Sequence, residues 1–195
     1  MKKTMVTIVK DKDLIWEVEN YDVILVGTSV YNMLTNGFQS KIGLKYPILN
    51  EVNDKTNYGD MRKLGLRKTI DTNKPILSLM YICKYPHSRK VFLDEDALIQ
   101  CLSTANMEFK GMRVATTLLG TSPYDGNADR DKMLKIIEEC TPDLDLTIYD
   151  YVQLKKTDEV NACLNRIRQM KETSPQEYEK LWKNKDNVLK GLFLK

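Results

Sequence analysis

Residues 112–140 read MRVATTLLGTSPYDGNADRDKMLKIIEEC. Met112–Leu119 is a short apolar run with branched side chains, the pattern of a strand buried inside a sheet. From Met133 onward the apolar residues Met133, Ile136, Ile137 and Cys140 recur at i, i+3, i+4 and i+7, which is one face of a helix. Between strand and helix stands GTSPYDGNADRDK, residues 120–132. Gly120 and Gly126 allow close backbone approach to a ligand, Thr121 and Ser122 offer hydroxyls, and the helix that follows points its first N–H groups at the loop. A diphosphate fits such a place. A tight strand-to-helix turn capped by Asp129 fits it equally, and the segment alone is compatible with both.

The same unit occurs upstream. Tyr21–Gly27 (YDVILVG) has four consecutive apolar residues, Val23 to Val26, so this strand is expected to be buried on both faces. GTSVYNMLTNGFQSKI follows from Gly27, with Asn36-Gly37 opening a helix in which Phe38, Ile42 and Tyr46 repeat every four residues. Two strand–loop–helix units aiming helix N-termini at one sheet edge would enclose an anion from both sides.

Working outward, Thr4–Val9 and Pro75–Cys83 (PILSLMYIC) read as further strands, and Leu144, Leu146 and Ile148 alternate with Asp145 and Thr147 as in a half-exposed strand. Ala97, Leu98, Cys101, Leu102 and Ala105 form a helical stripe behind Asp94 as its cap. Strands alternating with helices predict an α/β sheet covered on both faces. In such sheets ligands bind at the carboxyl ends of strands, which singles out the loops after Gly27, Cys83 and Leu119.

After Val152 the pattern changes to two consecutive helices. Val160, Cys163, Leu164, Ile167 and Met170 make one stripe; Ser174-Pro175-Gln176-Glu177 is a capping box with Pro at the first helical position. The predicted organisation is a domain over 1–152 and a helical hairpin over 153–195. Net charge divides the same way: residues 153–195 carry 10 basic and 6 acidic side chains, while the remaining 20 and 21 leave the first part slightly acidic. Contact with an acidic partner, protein or nucleic acid, would therefore come from the basic tail. A solvated helical surface is the plainer reading of the same charges.

Composition removes several function classes. The 4 cysteines form no Cys-x-x-Cys pair and the chain has 1 histidine, His87. Structural zinc is therefore not expected, and no metal or cofactor is assigned. A nucleophile paired with histidine would have to use His87. The surroundings of Cys101, Cys140 and Cys163 suit buried free thiols in a reducing compartment. Walker-type Gly-Lys-Thr and dinucleotide Gly-x-Gly-x-x-Gly patterns are missing. The apolar run before Lys10 is too short for a signal peptide, and the longest uncharged stretch, Val23 to Ser40, is too polar for a membrane span. A cytoplasmic protein without a membrane contact is the expectation.

The run from Thr7 to Tyr151 resembles the macrodomain, an ADP-ribose-binding α/β module. It is most similar to the subgroup of terminal ADP-ribose glycohydrolases and DNA-ADP-ribose-removing antitoxins. Lys12-Asp13-Leu14 matches the subgroup's Gly-Asp-Leu. Leu34-Thr35-Asn36-Gly37-Phe38-Gln39 matches its Met-Gly-x-Gly-Ile-Ala loop, and Lys45-Tyr46-Pro47 the end of the helix that follows. YGDMRKLG, Tyr58 to Gly65, looks like a segment of bacterial and phage members. Cys83-Lys84-Tyr85-Pro86-His87-Ser88 aligns with the Thr-Lys motif, and Gly120-Thr121-Ser122-Pro123-Tyr124-Asp125 with the Gly-Cys-Gly-Leu-Asp loop.

The resemblance implies a three-layer α/β/α fold with a mixed central sheet, and ADP-ribose or an ADP-ribosylated macromolecule as partner. It implies that Asp13 accepts from the adenine amino group, that Lys84 attacks the anomeric carbon and that Asp125 is its acid–base partner. The matched binding positions are Asp13 with Leu14, Gly27 with Thr28, Asn36, Gly37 and Phe38 in the first loop, and Gly120, Thr121, Ser122, Tyr124, Gly126 and Asn127 in the later one. Each has a plainer reading: Asp13 caps a turn, Lys84 is a solvent-facing strand end, Asp125 forms a turn beside Gly126, and His87 lies on the surface.

This sequence departs from the subgroup in places. Thr35 and Asn36 replace paired glycines, Phe38 and Gln39 replace a small apolar pair, and Ser122-Pro123 takes the place of the second glycine. The expected function is ADP-ribose binding with hydrolysis of ADP-ribose conjugates. The alternatives are a phosphatase acting on ADP-ribose phosphorylated at its distal ribose, and a non-catalytic binder that sequesters an NAD-derived nucleotide.

Overall fold

A computed structural model describes residues 6–32, 34, 37–84, 93–121 and 128–150. The hairpin expected over 153–195 lies outside these residues, as does the start of the strand expected from Thr4. Six strands form one sheet: β1 (Thr7–Lys10), β2 (Val23–Ser29), β3 (Arg67–Ile70), β4 (Ile76–Cys83), β5 (Arg113–Thr117) and β6 (Asp145–Asp150), in the order β1-β6-β5-β2-β4-β3. Five run parallel. The edge strand β3 is antiparallel to β4, so the sheet is mixed. The α-helices are α1 (Gly37–Lys45), α2 (Ile48–Asp54), α3 (Glu95–Glu108) and α4 (Arg130–Cys140).

The central strand β2 explains the layering. Alternate side chains of a strand point to opposite faces. Val23 and Leu25 pack with Leu98, Leu102, Met133 and Ile137 of α3 and α4. Ile24 and Val26 pack with Ile42 of α1 and Leu49 of α2 on the other face. All four β2 side chains are essentially inaccessible to solvent, each contributing about 1.5–3 kcal/mol of apolar burial. β2 lies between β5 and β4, with Val23 opposite Val114 on one side and Ile76 on the other. The unbroken Val23–Val26 run is thus the mark of a strand with a helical layer on either side.

Caps set the helix starts. Asp94 accepts from the Ala97 N–H at 2.8 Å to begin α3, and Asp129 from the Lys132 N–H at 2.8 Å to begin α4. β3 differs from the sequence expectation, which passes over it. Its Lys68 and Thr69 face solvent, and it is held by Arg67, whose Nε donates to Thr104 Oγ1 at 2.8 Å and Nη1 to Ser78 Oγ at 2.9 Å. The guanidinium also lies 5.1 Å from the centre of the Phe109 ring. α2 begins directly after Pro47, so the helical segment continues beyond Tyr46 as a separate element.

Candidate functional site

Because β1, β6, β5, β2 and β4 are parallel, their carboxyl ends share one edge of the sheet. The neighbours β2 and β5 send their chains to opposite faces, β2 toward α1 and α2, β5 toward α4. A crevice opens at the carboxyl end of an α/β sheet where this reversal occurs, and ligands bind there. The N-termini of α1 and α4 both lie at this edge, each presenting first-turn N–H groups that have no partner within the helix and the positive end of a helix dipole.

The glycines at these two corners have different work. Gly37, first residue of α1, has φ 53°, and Gly120, after β5, has φ 70°. Both are in the left-handed region that other residues enter at a cost. The Gly120 carbonyl accepts from the Ala128 N–H at 2.9 Å, tying the two ends of the intervening loop, and Thr121 Oγ1 donates to the Leu118 carbonyl at 3.0 Å. Gly27 stands inside β2; a Cβ there would meet Ile82 Cδ1 at 2.8 Å and Leu119 Cδ2 at 3.1 Å. Thr28, beside it, is fully buried. The structure therefore gives Gly27 and Thr28 places in the packed sheet, not on an open loop.

Asp13 and Leu14 follow β1. Asp13 starts a 3-10 turn, Leu14–Trp16, accepting from the Ile15 N–H at 3.3 Å through one oxygen, while the other meets the Lys41 ammonium of α1. A carboxylate has about four lone-pair sites, so these bonds leave acceptor capacity. Leu14 is buried in the core on the α1 face. Phe38 is half-buried against the same cluster.

Lys84 follows the last residue of β4. Its Nζ pairs with the Asp94 carboxylate, and its side chain is 43% exposed against 13% for Asp94. Burial raises the Asp94 carboxyl, but the Lys84 ammonium and the Ala97 and Asp96 N–H groups outweigh it, leaving the group below the usual range.

Asp13, Gly37, Phe38, Lys84, Gly120 and Thr121 are thus all placed on loops or helix starts at the carboxyl edge. Asn36, Ser122, Tyr124, Asp125, Gly126, Asn127 and His87 lie outside the described residues. Sequence reasoning passed over Lys41 as the partner of Asp13, and over Arg130, whose guanidinium binds the buried Asp150 at the end of β6. It named Asp94 only as a cap. Partners of this kind are set by tertiary contacts between elements far apart in sequence, which periodicity does not report.

A second polar cluster lies beside the loop after β2. Lys63, only 8% exposed, donates to Asn32 Oδ1 and to Thr56 Oγ1 at 3.1 Å, and its Nζ lies 4.8 Å from the centre of the Tyr81 ring. Burial pushes the amine below its ordinary range. Asn32 Nδ2 donates in turn to the Thr56 carbonyl at 2.9 Å. Asn32 is therefore engaged with Thr56 and Lys63 inside the protein.

Among the described residues no group of three or more His, Cys, Asp or Glu is placed to hold a metal, and no helix is long and apolar enough to cross a membrane.

No family model and no curated protein matches the sequence. Solved structures do match. The macrodomain of Mycobacterium tuberculosis DarG superposes with a TM-score of 0.59 at 16% identity, over 75% of this chain and 99% of that one. DarTG of Thermosipho africanus, solved in complex with ADP-ribose, gives 0.58 at 11% identity, over 78% of this chain and 43% of that one. A Trypanosoma brucei macrodomain solved in complex with ADP gives 0.52 at 14%, over 74% and 63%. At these identities the likeness speaks for the fold, and the fold of the described residues is the macrodomain fold.

Proposed function

We propose that this domain binds ADP-ribose and releases it from a conjugate with protein or nucleic acid. The observation that carries the reading is the reversal of chain direction between β2 and β5, where two helix N-termini and two left-handed glycines, Gly37 and Gly120, lie at one sheet edge. Backbone N–H groups at helix starts are suited to a diphosphate. Asp13, at the neighbouring end of β1, supplies an acceptor for an adenine amino group. The structures of similar fold with bound ADP-ribose and ADP support the same ligand class.

In the proposed reaction Lys84, as the free amine, attacks the anomeric carbon of the distal ribose. The new carbon–nitrogen bond forms as the bond to the conjugated group breaks, and Asp125, acting as acid, gives the departing atom its proton. Water then cleaves the sugar–lysine adduct and restores the amine. Attack by a lysine on a sugar carbon divides one difficult displacement into two easier ones.

Calorimetric titration tests the binding, with ADP-ribose expected to bind in preference to NAD and AMP. Heat that stays at the dilution level with millimolar ADP-ribose would end the nucleotide reading. Lys84→Ala tests the chemistry: release of ADP-ribose from an ester-linked or base-linked substrate should cease while affinity for free ADP-ribose stays within several-fold, because the nucleophile acts in the transition state. Wild-type protein that binds ADP-ribose but turns over no conjugate leaves a binding module.

A further inference from the structure

Lys84 and Asp94 come from different elements, the end of β4 and the start of α3, and the carboxylate is fixed from several directions. Its Oδ1 accepts from the Ala97 N–H at 2.8 Å, its own backbone N–H donates to the Ile82 carbonyl at 2.8 Å, and the adjoining Leu93 bridges to Cys83. The second oxygen, Oδ2, meets Lys84. A cap alone needs one oxygen, so the other is available to act on the amine without disturbing the helix.

We propose that Asp94 is the positioning residue of Lys84, holding the amine at the carboxyl edge and setting the pH at which it becomes a free nucleophile. The inference rests on the reading of Lys84 given above. An anion in contact with an ammonium favours the charged form and so delays its deprotonation as pH rises. Asp94 stays ionised throughout the neutral range, because its own carboxyl lies below the ordinary value, burial being outweighed by Lys84 and the N–H groups of the cap. Its bias on Lys84 is therefore constant. Being a poor base, it does not take the proton itself; the proton leaves to water, and Asp94 determines when.

Other charges stand at this rim among the described residues. Glu95 of α3 pairs with Lys132 of α4 at 2.5 Å, Asp129 gives one oxygen to the Lys132 N–H as the α4 cap, and Asp96 lies in the first turn of α3. The positive end of the α3 dipole opposes protonation of a nearby lysine, so removing the Asp94 charge should act in one direction only.

Asp94→Asn separates the two jobs of the residue, since Asn caps a helix as well as Asp does but carries no charge. The measurement is the pH dependence of Lys84 acylation by acetic anhydride, read by peptide mass spectrometry on the full chain without any nucleotide. The midpoint is expected to fall by about half to one pH unit in Asp94→Asn, a modest value because Lys84 is partly exposed. It should stay put in Asp22→Asn, which removes a paired carboxylate at the amino edge of the sheet. Asp94→Ser, an uncharged cap as well, gives the same readout if the first variant fails to fold. An unchanged midpoint in the uncharged variants, or an equal shift in Asp22→Asn, overturns the proposal. Where ADP-ribose release is measurable, the acid limb of its rate profile should move with the acylation midpoint. A shifted midpoint with no release in any variant would remove the hydrolytic reading and leave the hold of Asp94 on Lys84 intact.

Discussion

Gly27 separates two meanings of a glycine near a ligand loop. The sequence places it at the end of an apolar run, where close approach to a ligand and close approach to neighbouring side chains look alike. The structure gives it the second meaning, with Ile82 and Leu119 where a side chain would be. Gly27→Val should therefore cost about 1–3 kcal/mol of stability through overpacking. Urea denaturation of the variant checks this, and trimming the obstruction with Ile82→Ala in the same chain should recover part of the loss, since the two sites are in contact. Normal stability with weakened ADP-ribose binding would return Gly27 to the ligand. Gly120 differs in kind: its φ of 70° is a backbone requirement that no repacking relieves.

Among the elements, the capped helices were the most legible. Asp129 begins α4 as the spacing to Met133 and Ile137 requires, so Asp129→Ala should cost about 1 kcal/mol while Asp129→Asn costs a few tenths. Thermal melts of the two variants make the check, and equal losses would mean that the charge matters beyond the cap. The buried strands β2 and β4 were legible for a related reason: long runs of branched apolar residues have few other homes in a chain of this size. β3 was not. Only four residues long, it shows one buried apolar side chain, Ile70, and relies on Arg67, a residue that a hydrophobic pattern counts as exposed. α2 was hidden by Pro47, which reads as the end of α1 and is also a sound beginning for a new helix. The loops of the proposed site were legible as loops, because loop position follows from strand order. The pairs Lys84 with Asp94 and Lys41 with Asp13 were not, because they depend on which helix the fold brings beside which strand end.

Over the whole molecule, the buried and paired groups predict how stability depends on pH. On the acid side Asp22 and Asp94 lie below their ordinary range, Asp22 because Arg113 binds it through its side chain and its backbone N–H. A carboxyl depressed by folding stabilises above its unfolded value, about 3.9, and loses that contribution as pH falls through the folded value. Stability should therefore decline below about pH 5, and Asp22→Asn should flatten the decline, more so at low salt because this pair is exposed.

On the alkaline side, burial pushes the Cys101 thiol up to about 12, and burial with the Tyr21 hydroxyl raises Tyr149. These groups stabilise fully below their unfolded values, about 8.5 and 10, and lose that effect as pH climbs toward the folded ones. Lys63 acts in the opposite sense: burial depresses it, so deprotonation relieves a cost and offsets part of the loss. Urea midpoints between pH 3 and 11 should trace a plateau with two shoulders. Cys101→Ser, which keeps the size but does not titrate in this range, should soften the alkaline shoulder and leave the acid one alone. Curves for Asp22→Asn and Cys101→Ser that run parallel to the wild type at every pH would show that other groups carry both shoulders.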